Sequence, residues 1–248
     1  MSGADTPQMP EVRDGLASTL NQTGLAIEHV DDPFTAAFLA FVARAPGPAL
    51  EIGTAFGAAS LQVVKRNLPI TANDLDPRHL EILRDRTPPE LRHLLRLMPG
   101  RFPDELELAP ASLGAVLISR VMHFMTPQGI EGAVAKLWSA LVPGAKVFAI
   151  VDTIYLRSIQ AFMPVYRERK ARGDAWPGWC DRFRDYVIPE YRSIVPETAH
   201  FLDEDTFPPF FTRAGFRIAQ ASFIPRPYYP AAIRLDGRES FGVVAVKP

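Results

Sequence analysis

The sequence is poor in the features that would carry thiol, polyanion or membrane chemistry. Its one cysteine, Cys180, can neither close an internal disulfide nor build a multi-thiolate metal site, which agrees with a reducing compartment and assigns Cys180 to packing. Neither sign of charge is in excess, with 27 Lys and Arg against 28 Asp and Glu. No broad positive field is therefore available to hold nucleic acid or an acidic membrane, and large polyanions are not expected as substrates. No apolar run is long enough to span a bilayer, and the start, MSGADTPQMPEVRDG, lacks the basic region and apolar stretch of a secretory signal. These absences lead to the expectation of a cytoplasmic protein. Internal repeats and low-complexity segments are also missing. The histidines show no metal-ligand spacing: His29 precedes an acidic pair, His79 and His93 sit in charged stretches and are expected to face solvent, and His200 reads as structural.

What is present is a 248-residue chain that is 47% hydrophobic, enough for one large domain with a sizeable core and embellishments. Short apolar runs bounded by Gly, Pro or Asp predict buried strands of a parallel sheet: PALEIG (48–53), ITAND (70–74), LRLMPG (95–100), GAVLIS (114–119) and AKVFAIVD (145–152). Helical stretches alternate with them at 58–67, 77–86 and 129–142, the last with Ile130, Val134, Leu137 and Leu141 on one face, which argues for βαβ units. Two further runs, GFRIAQASFI (215–224) and SFGVVAVKP (240–248), are joined by too few residues for a helical crossover and should be antiparallel neighbours. Upstream, ASTLNQTGLAIEHV (17–30) and DPFTAAFLAFVARA (32–45) read as helices, the second capped by Asp32 with Pro33 in its first turn. Residues 154–208 are aromatic, charged and Pro-rich without a clean strand, and predict a helical insertion. The expected organisation is an N-terminal cap segment (1–32), a ligand-binding core (33–153), a helical lid (154–208) and two closing strands (209–248).

In a doubly wound sheet the ligand sits beyond the carboxyl ends of the strands, where strand order reverses. The loop after the first predicted core strand, LEIGTAFG, places Glu51 two residues before Gly53, with Thr54 and Ala55 before Gly57 at the next helix. Glycine permits close backbone approach, but no Lys-Ser/Thr follows and Glu51 would repel a phosphate, so a zwitterionic or cationic ligand fits better. The next strand ends in NDLDP, and Asp74 lies about 20 residues past the loop glycine, the spacing at which an acid accepts hydrogen bonds from a ribose diol. Asp76 is placed to cap the helix opening at Pro77.

These segments, together with GAVLISRVMHFMTPQ and the Pro-Gly turn in LVPGAKVFAI, resemble the class I S-adenosylmethionine-dependent methyltransferases over residues 33–152 and 210–248. The resemblance implies an α/β, Rossmann-like fold: a mainly parallel seven-stranded sheet with a C-terminal antiparallel strand pair and a helical lid. It implies S-adenosylmethionine as cofactor, with Glu51, Gly53, Thr54, Ala55 and Gly57 around its methionine part. Asp74 and Leu75 would take the ribose and adenine, the backbone of Arg101 and Phe102 the adenine, and Ser119 and Arg120 the floor below the sulfonium. Ala55 replaces the middle glycine of the family's loop, and Arg101 stands where the family often has an acid.

The sulfonium already activates the methyl group, so alignment and desolvation are the main requirements. Where the acceptor needs a base, His123 after the fourth strand is the candidate, against the alternative of a packed histidine. Tyr155, from an insertion that also holds Tyr166, Trp176, Trp179, Tyr186 and Tyr191, is the second catalytic candidate; core packing is the alternative for these aromatics. Methylation of a small molecule is the expected reaction, with cyclisation of the cofactor's aminobutyrate chain to azetidine-2-carboxylate, or a non-catalytic binding module, as alternatives.

Overall fold

The computed structural model describes residues 7–22, 24–28, 30 and 32–248; His29 and the first six residues lie outside the described residues. In chain order the elements are β1 (Val12–Arg13), β2 (Leu16–Ser18), β3 (Leu25–Ile27), α1 (Pro33–Val42), β4 (Ala49–Ile52), α2 (Ala58–Val64), β5 (Ile70–Asp74), α3 (Pro77–Arg86), β6 (Leu95–Pro99) and β7 (Leu113–Ser119). There follow α4 (Pro127–Ala140), β8 (Leu141–Asp152), α5 (Met163–Arg172), β9 (Trp179–Cys180), α6 (Phe183–Tyr186), β10 (Ala199–His200), α7 (Pro208–Arg213), β11 (Arg217–Ile224) and β12 (Ser240–Val246).

Seven strands form one sheet in the order β11-β12-β8-β7-β4-β5-β6, in which β4 to β8 pair in parallel and β12 runs antiparallel to both β8 and β11. The period of two along each strand divides the core. Val116 and Ile118 face the layer of α4 and α7, with Leu137, Phe210 and Phe211, whereas Ala115 and Leu117 face α1 and α2, with Phe34, Phe38 and Val63. Both faces are covered, which is why the strands read as continuous apolar runs. The Asp32 cap is formed as expected: its Oδ1 accepts from the backbone N–H groups of Phe34 and Thr35 at 3.0 and 2.8 Å.

Two expectations fail. The first upstream stretch is not a helix. Its Leu16–Ser18 and Leu25–Ile27 pair as an antiparallel hairpin, closed where Thr19 N–H donates to Gly24 O at 3.0 Å, and Gly24 holds φ +143, a conformation reserved for glycine. The insertion, in turn, is only partly helical. Beside α5 it holds the short α6, two 3₁₀ turns at Arg157–Phe162 and Pro189–Tyr191, and a two-residue ribbon pairing Ala199 with Cys180.

Candidate active site

A cavity of about 410 Å³ opens at the carboxyl ends of the parallel strands, around the point between β4 and β7 where strand order reverses. Its walls include Glu51, Gly53, Thr54, Ala55, Asp74, Leu75, Arg101, Phe102, Ser119 and Arg120, so ten of the residues singled out by sequence converge here. Three do not. Gly57 is off the wall, and its missing Cβ has another cause: at φ +82 an added Cβ would stand 2.1 Å from Leu83 Cδ1 of α3. His123 and Tyr155 are also absent from the wall.

At the end of β4, Glu51 is buried and its Oε2 accepts from Thr54 Oγ1 at 3.0 Å, from Ser60 N–H at 2.9 Å and from the Ser60 hydroxyl. Burial pushes its pKa up to about 7, although the hydrogen bonds from Ser60 and Thr54 pull the other way. Gly53 turns the chain at φ +70, and an added Cβ there would lie 2.2 Å from Val121 Cγ2, so the glycine lets the loops after β4 and β7 meet.

Asp74 is gripped more tightly than its spacing suggested. Oδ1 accepts from Asp76 N–H at 2.9 Å and from His79 Nδ1 at 3.0 Å, and Oδ2 accepts from Ala55 N–H at 2.8 Å. Of the roughly four lone-pair positions of a carboxylate, one on Oδ2 is left for a ligand among the described residues. His79, expected at the surface, is 1% exposed. Its Nε2 accepts from Leu20 N–H at 3.0 Å, which places the ring proton on Nδ1 and makes the imidazole a bridge between Asp74 and the hairpin.

The hairpin forms the roof. Leu25, Ala26, Ile27 and Glu28 line the cavity, and side chains from the core hold them. Arg120 Nη1 donates to Leu25 O at 2.8 Å, Arg78 Nη2 to Leu20 O at 3.1 Å, and Arg86 Nη2 to Glu28 Oε2 at 2.7 Å. Arg120 also pairs with Asp152 of β8 at 3.1 Å. Burial works against that carboxylate, yet Arg120, His123 and Arg226 together more than offset it and hold the Asp152 pKa down to about 2.

His123 is 5% exposed and its Nδ1 accepts the backbone N–H of Asp152 at 3.0 Å. Burial lowers its pKa to about 4, partly opposed by Asp152, so it is a neutral structural acceptor in place of the base expected from sequence. Tyr155 packs against Phe223 and beneath the Arg238 guanidinium, 3.6 Å from the ring centroid, and burial raises its pKa; it is a packed phenol away from the cavity. None of residues 154–208 lines the cavity. Their aromatics pack elsewhere: Tyr186 against Phe162 within the insertion, and Trp176 onto Phe210 of α7 in the core.

Sequence reasoning missed His79, Glu28, Asp32 and Arg226, all on the wall. His79 was legible as the i−4 neighbour of Leu83 on the buried face of α3, and Arg226 as a charge two residues past β11, whose carboxyl end lies on the same edge as that of β8. Among the described residues no cluster of His, Cys, Asp and Glu is placed to hold a metal ion, and no helix is long and apolar enough to cross a membrane.

No protein-family model matches the chain, and no curated protein matches it by sequence. Solved structures do match. A SAM-dependent methyltransferase from Methanosarcina mazei superposes with a TM-score of 0.62 at 15% identity, covering 87% of this chain and 97% of that one. The glycopeptide N-methyltransferase MtfA, in complex with sinefungin, gives a TM-score of 0.56 at 17% identity over 86% and 92% of the two chains. An S-adenosylmethionine-dependent methyltransferase from Mesorhizobium loti gives 0.55 at 17% over 86% and 96%. The chain therefore has the fold of the class I S-adenosylmethionine-dependent methyltransferases.

Proposed function

We propose that the chain is an S-adenosylmethionine-dependent methyltransferase acting on a small molecule. The observation that carries this reading is one cavity that joins Asp74 on β5 and Glu51 on β4 to Ser119 on β7, across the strand-order reversal. The donor set suits a cationic, diol-bearing cofactor. Glu28, Asp32, Glu51, Asp74 and Asp104 outnumber the three wall arginines, and Glu28 Oε1 is buried without a hydrogen-bond partner among the described residues. A buried acceptor in that state is costly until a donor reaches it, and an ammonium supplies one.

The cofactor brings an electrophilic methyl group. The chain's own residues contribute position and exclusion of water: Asp74 accepts from a ribose hydroxyl through its open Oδ2 position, Glu51 offers negative charge to the amino-acid end, and the hairpin covers the roof. His79 has both ring nitrogens engaged and His123 is off the wall, so neither serves as a base, and this supports an acceptor that reacts without one. Cyclisation of the cofactor would call for a closed aromatic cap, and the aromatics of 154–208 do not provide it.

The test is incubation of purified protein with S-adenosylmethionine, with and without a small-molecule extract, and identification of the nucleoside released. S-adenosylhomocysteine formed only with extract is the expected result; methylthioadenosine without any acceptor would overturn it. Asp74→Ala should abolish cofactor binding by calorimetry, and unchanged affinity would defeat the ribose assignment.

A further inference from the structure

Arg226 is a large, fully buried side chain, 1% exposed, and it lies on the cavity wall. Its Nε donates to Ser240 Oγ at 3.0 Å, and its Nη1 donates to Tyr228 Oη at 3.0 Å. The other terminal nitrogen, Nη2, is buried with no hydrogen-bond partner among the described residues. Among the described residues the carboxylate nearest the guanidinium, Asp32, stands 3.9 Å from Nη1 and is already committed to Phe34 N–H, Thr35 N–H and Thr35 Oγ1. A permanently charged guanidinium with an idle donor on a cavity wall is a site for an anion, and its planar fork matches a carboxylate.

The place of Arg226 in the sheet says whose carboxylate. Ser240, which anchors it, opens β12, four strands along the sheet from β5 and Asp74. At ~4.8 Å per strand that separation is roughly 19 Å. The arm of the cofactor from ribose to carboxylate has five bonds, about 7 Å when extended. With the ribose at Asp74 and the ammonium beside Glu51, as proposed above, the amino-acid end lies over β4, three strands from Ser240 on β12.

Building on the methyl-transfer reading, we propose that Arg226 recognises a carboxylate on the acceptor molecule, Nη2 donating to one of its oxygens. The acceptor substrates are then small carboxylic acids, bound with the carboxylate at β12 and the nucleophile toward β7.

Binding to the S-adenosylhomocysteine-loaded protein is measured by saturation-transfer NMR for acetate against acetamide and benzoate against benzamide, and repeated on the unloaded protein. The carboxylates should bind at least tenfold more tightly than the amides. Arg226→Gln should remove that preference and Arg226→Lys should keep part of it, with thermal unfolding recorded for both because the guanidinium also supports Ser240 and Tyr228. Equal binding of acid and amide to the wild-type protein overturns the proposal and needs no variant. It is also overturned if wild-type protein binds S-adenosylmethionine at least tenfold more tightly than its decarboxylated form and Arg226→Gln erases that difference, since the idle N–H then serves the cofactor. Failure of S-adenosylhomocysteine to bind at all would count against the methyltransferase reading instead, while the acid-over-amide preference of the unloaded protein would still decide the carboxylate site.

Discussion

Two segments lie outside the seven-stranded sheet, and they solve opposite problems. The hairpin β2–β3 buries little of its own: Leu16, Ala17 and Ala26 are its buried side chains, and it is held to the core by polar ties to its backbone at Leu20 and Leu25 and to the Glu28 carboxylate. Residues 154–208 build a larger apolar cluster in which Ile154, Ile159, Phe162, Cys180 and Phe201 are buried together, with Leu16 of the hairpin at its edge and Leu25 and Ile27 packed against it. The hairpin reaches the cavity and the insertion does not. An element fixed by hydrogen bonds to its backbone can follow a ligand, because each bond is worth about 1 kcal/mol net and is exchangeable with water. One fixed by close packing stays put.

The contrast is sharpest in four experiments. Phe162→Ala removes a fully buried ring from the insertion cluster and should cost about 4 kcal/mol of stability, read as a drop in denaturant midpoint, with affinity for S-adenosylhomocysteine unchanged. A parallel loss of affinity would show that the insertion does shape the cavity. Arg120→Ala should cost about 3 kcal/mol, because it strands the Asp152 carboxylate in a largely buried place, and here affinity should fall as well since the tie to Leu25 is lost. His79→Gln should cost about 1 kcal/mol and weaken cofactor binding several-fold through loss of the bridge to Leu20; calorimetry that finds the same dissociation constant would make the hairpin a passive roof.

The smallest effect is a proton. The Glu51 pKa is raised to about 7 by burial, so the folded protein keeps a proton that the unfolded chain has already released. Stability from this group is therefore greatest at low pH and declines as pH rises from the ordinary carboxylate range through 7. A cation arriving beside Glu51 favours its ionised form, so at pH 6.5 cofactor binding should release up to about three-quarters of a proton, measured as a dependence of binding heat on buffer ionisation enthalpy. Glu51→Gln should abolish that release.

Much of the sheet could be read from the chain because its strands are buried on both faces and bounded by breakers: the five parallel strands, the antiparallel closing pair and the Asp32 cap stand where the residue pattern placed them. The hairpin was missed because three-residue strands carry too little periodicity to compete with a helical reading, although Gly24 with Gln22 at φ +56 marks a turn. Glu51 and Asp74 were legible from spacing, yet the neighbours that use up most of Asp74's acceptor capacity come from Ala55, Asp76 and His79, and a spacing does not show them. The aromatics of the insertion were recognisable as a group, but not their division between the insertion's own cluster and the neighbouring core, where Tyr155 meets Phe223 and Trp176 meets Phe210. Composition records which rings are present; their orientation depends on which strands and turns they meet.

The imidazole between Asp74 and Leu20 has a thermodynamic corollary. Because one ring joins the carboxylate to the roof, a ligand that draws on Asp74 and a roof that closes on Leu20 share a single free-energy term, and each must strengthen the other by the same factor. The exchange rate of the Leu20 amide hydrogen is then a remote gauge of occupancy, slowing as the cofactor binds without touching it.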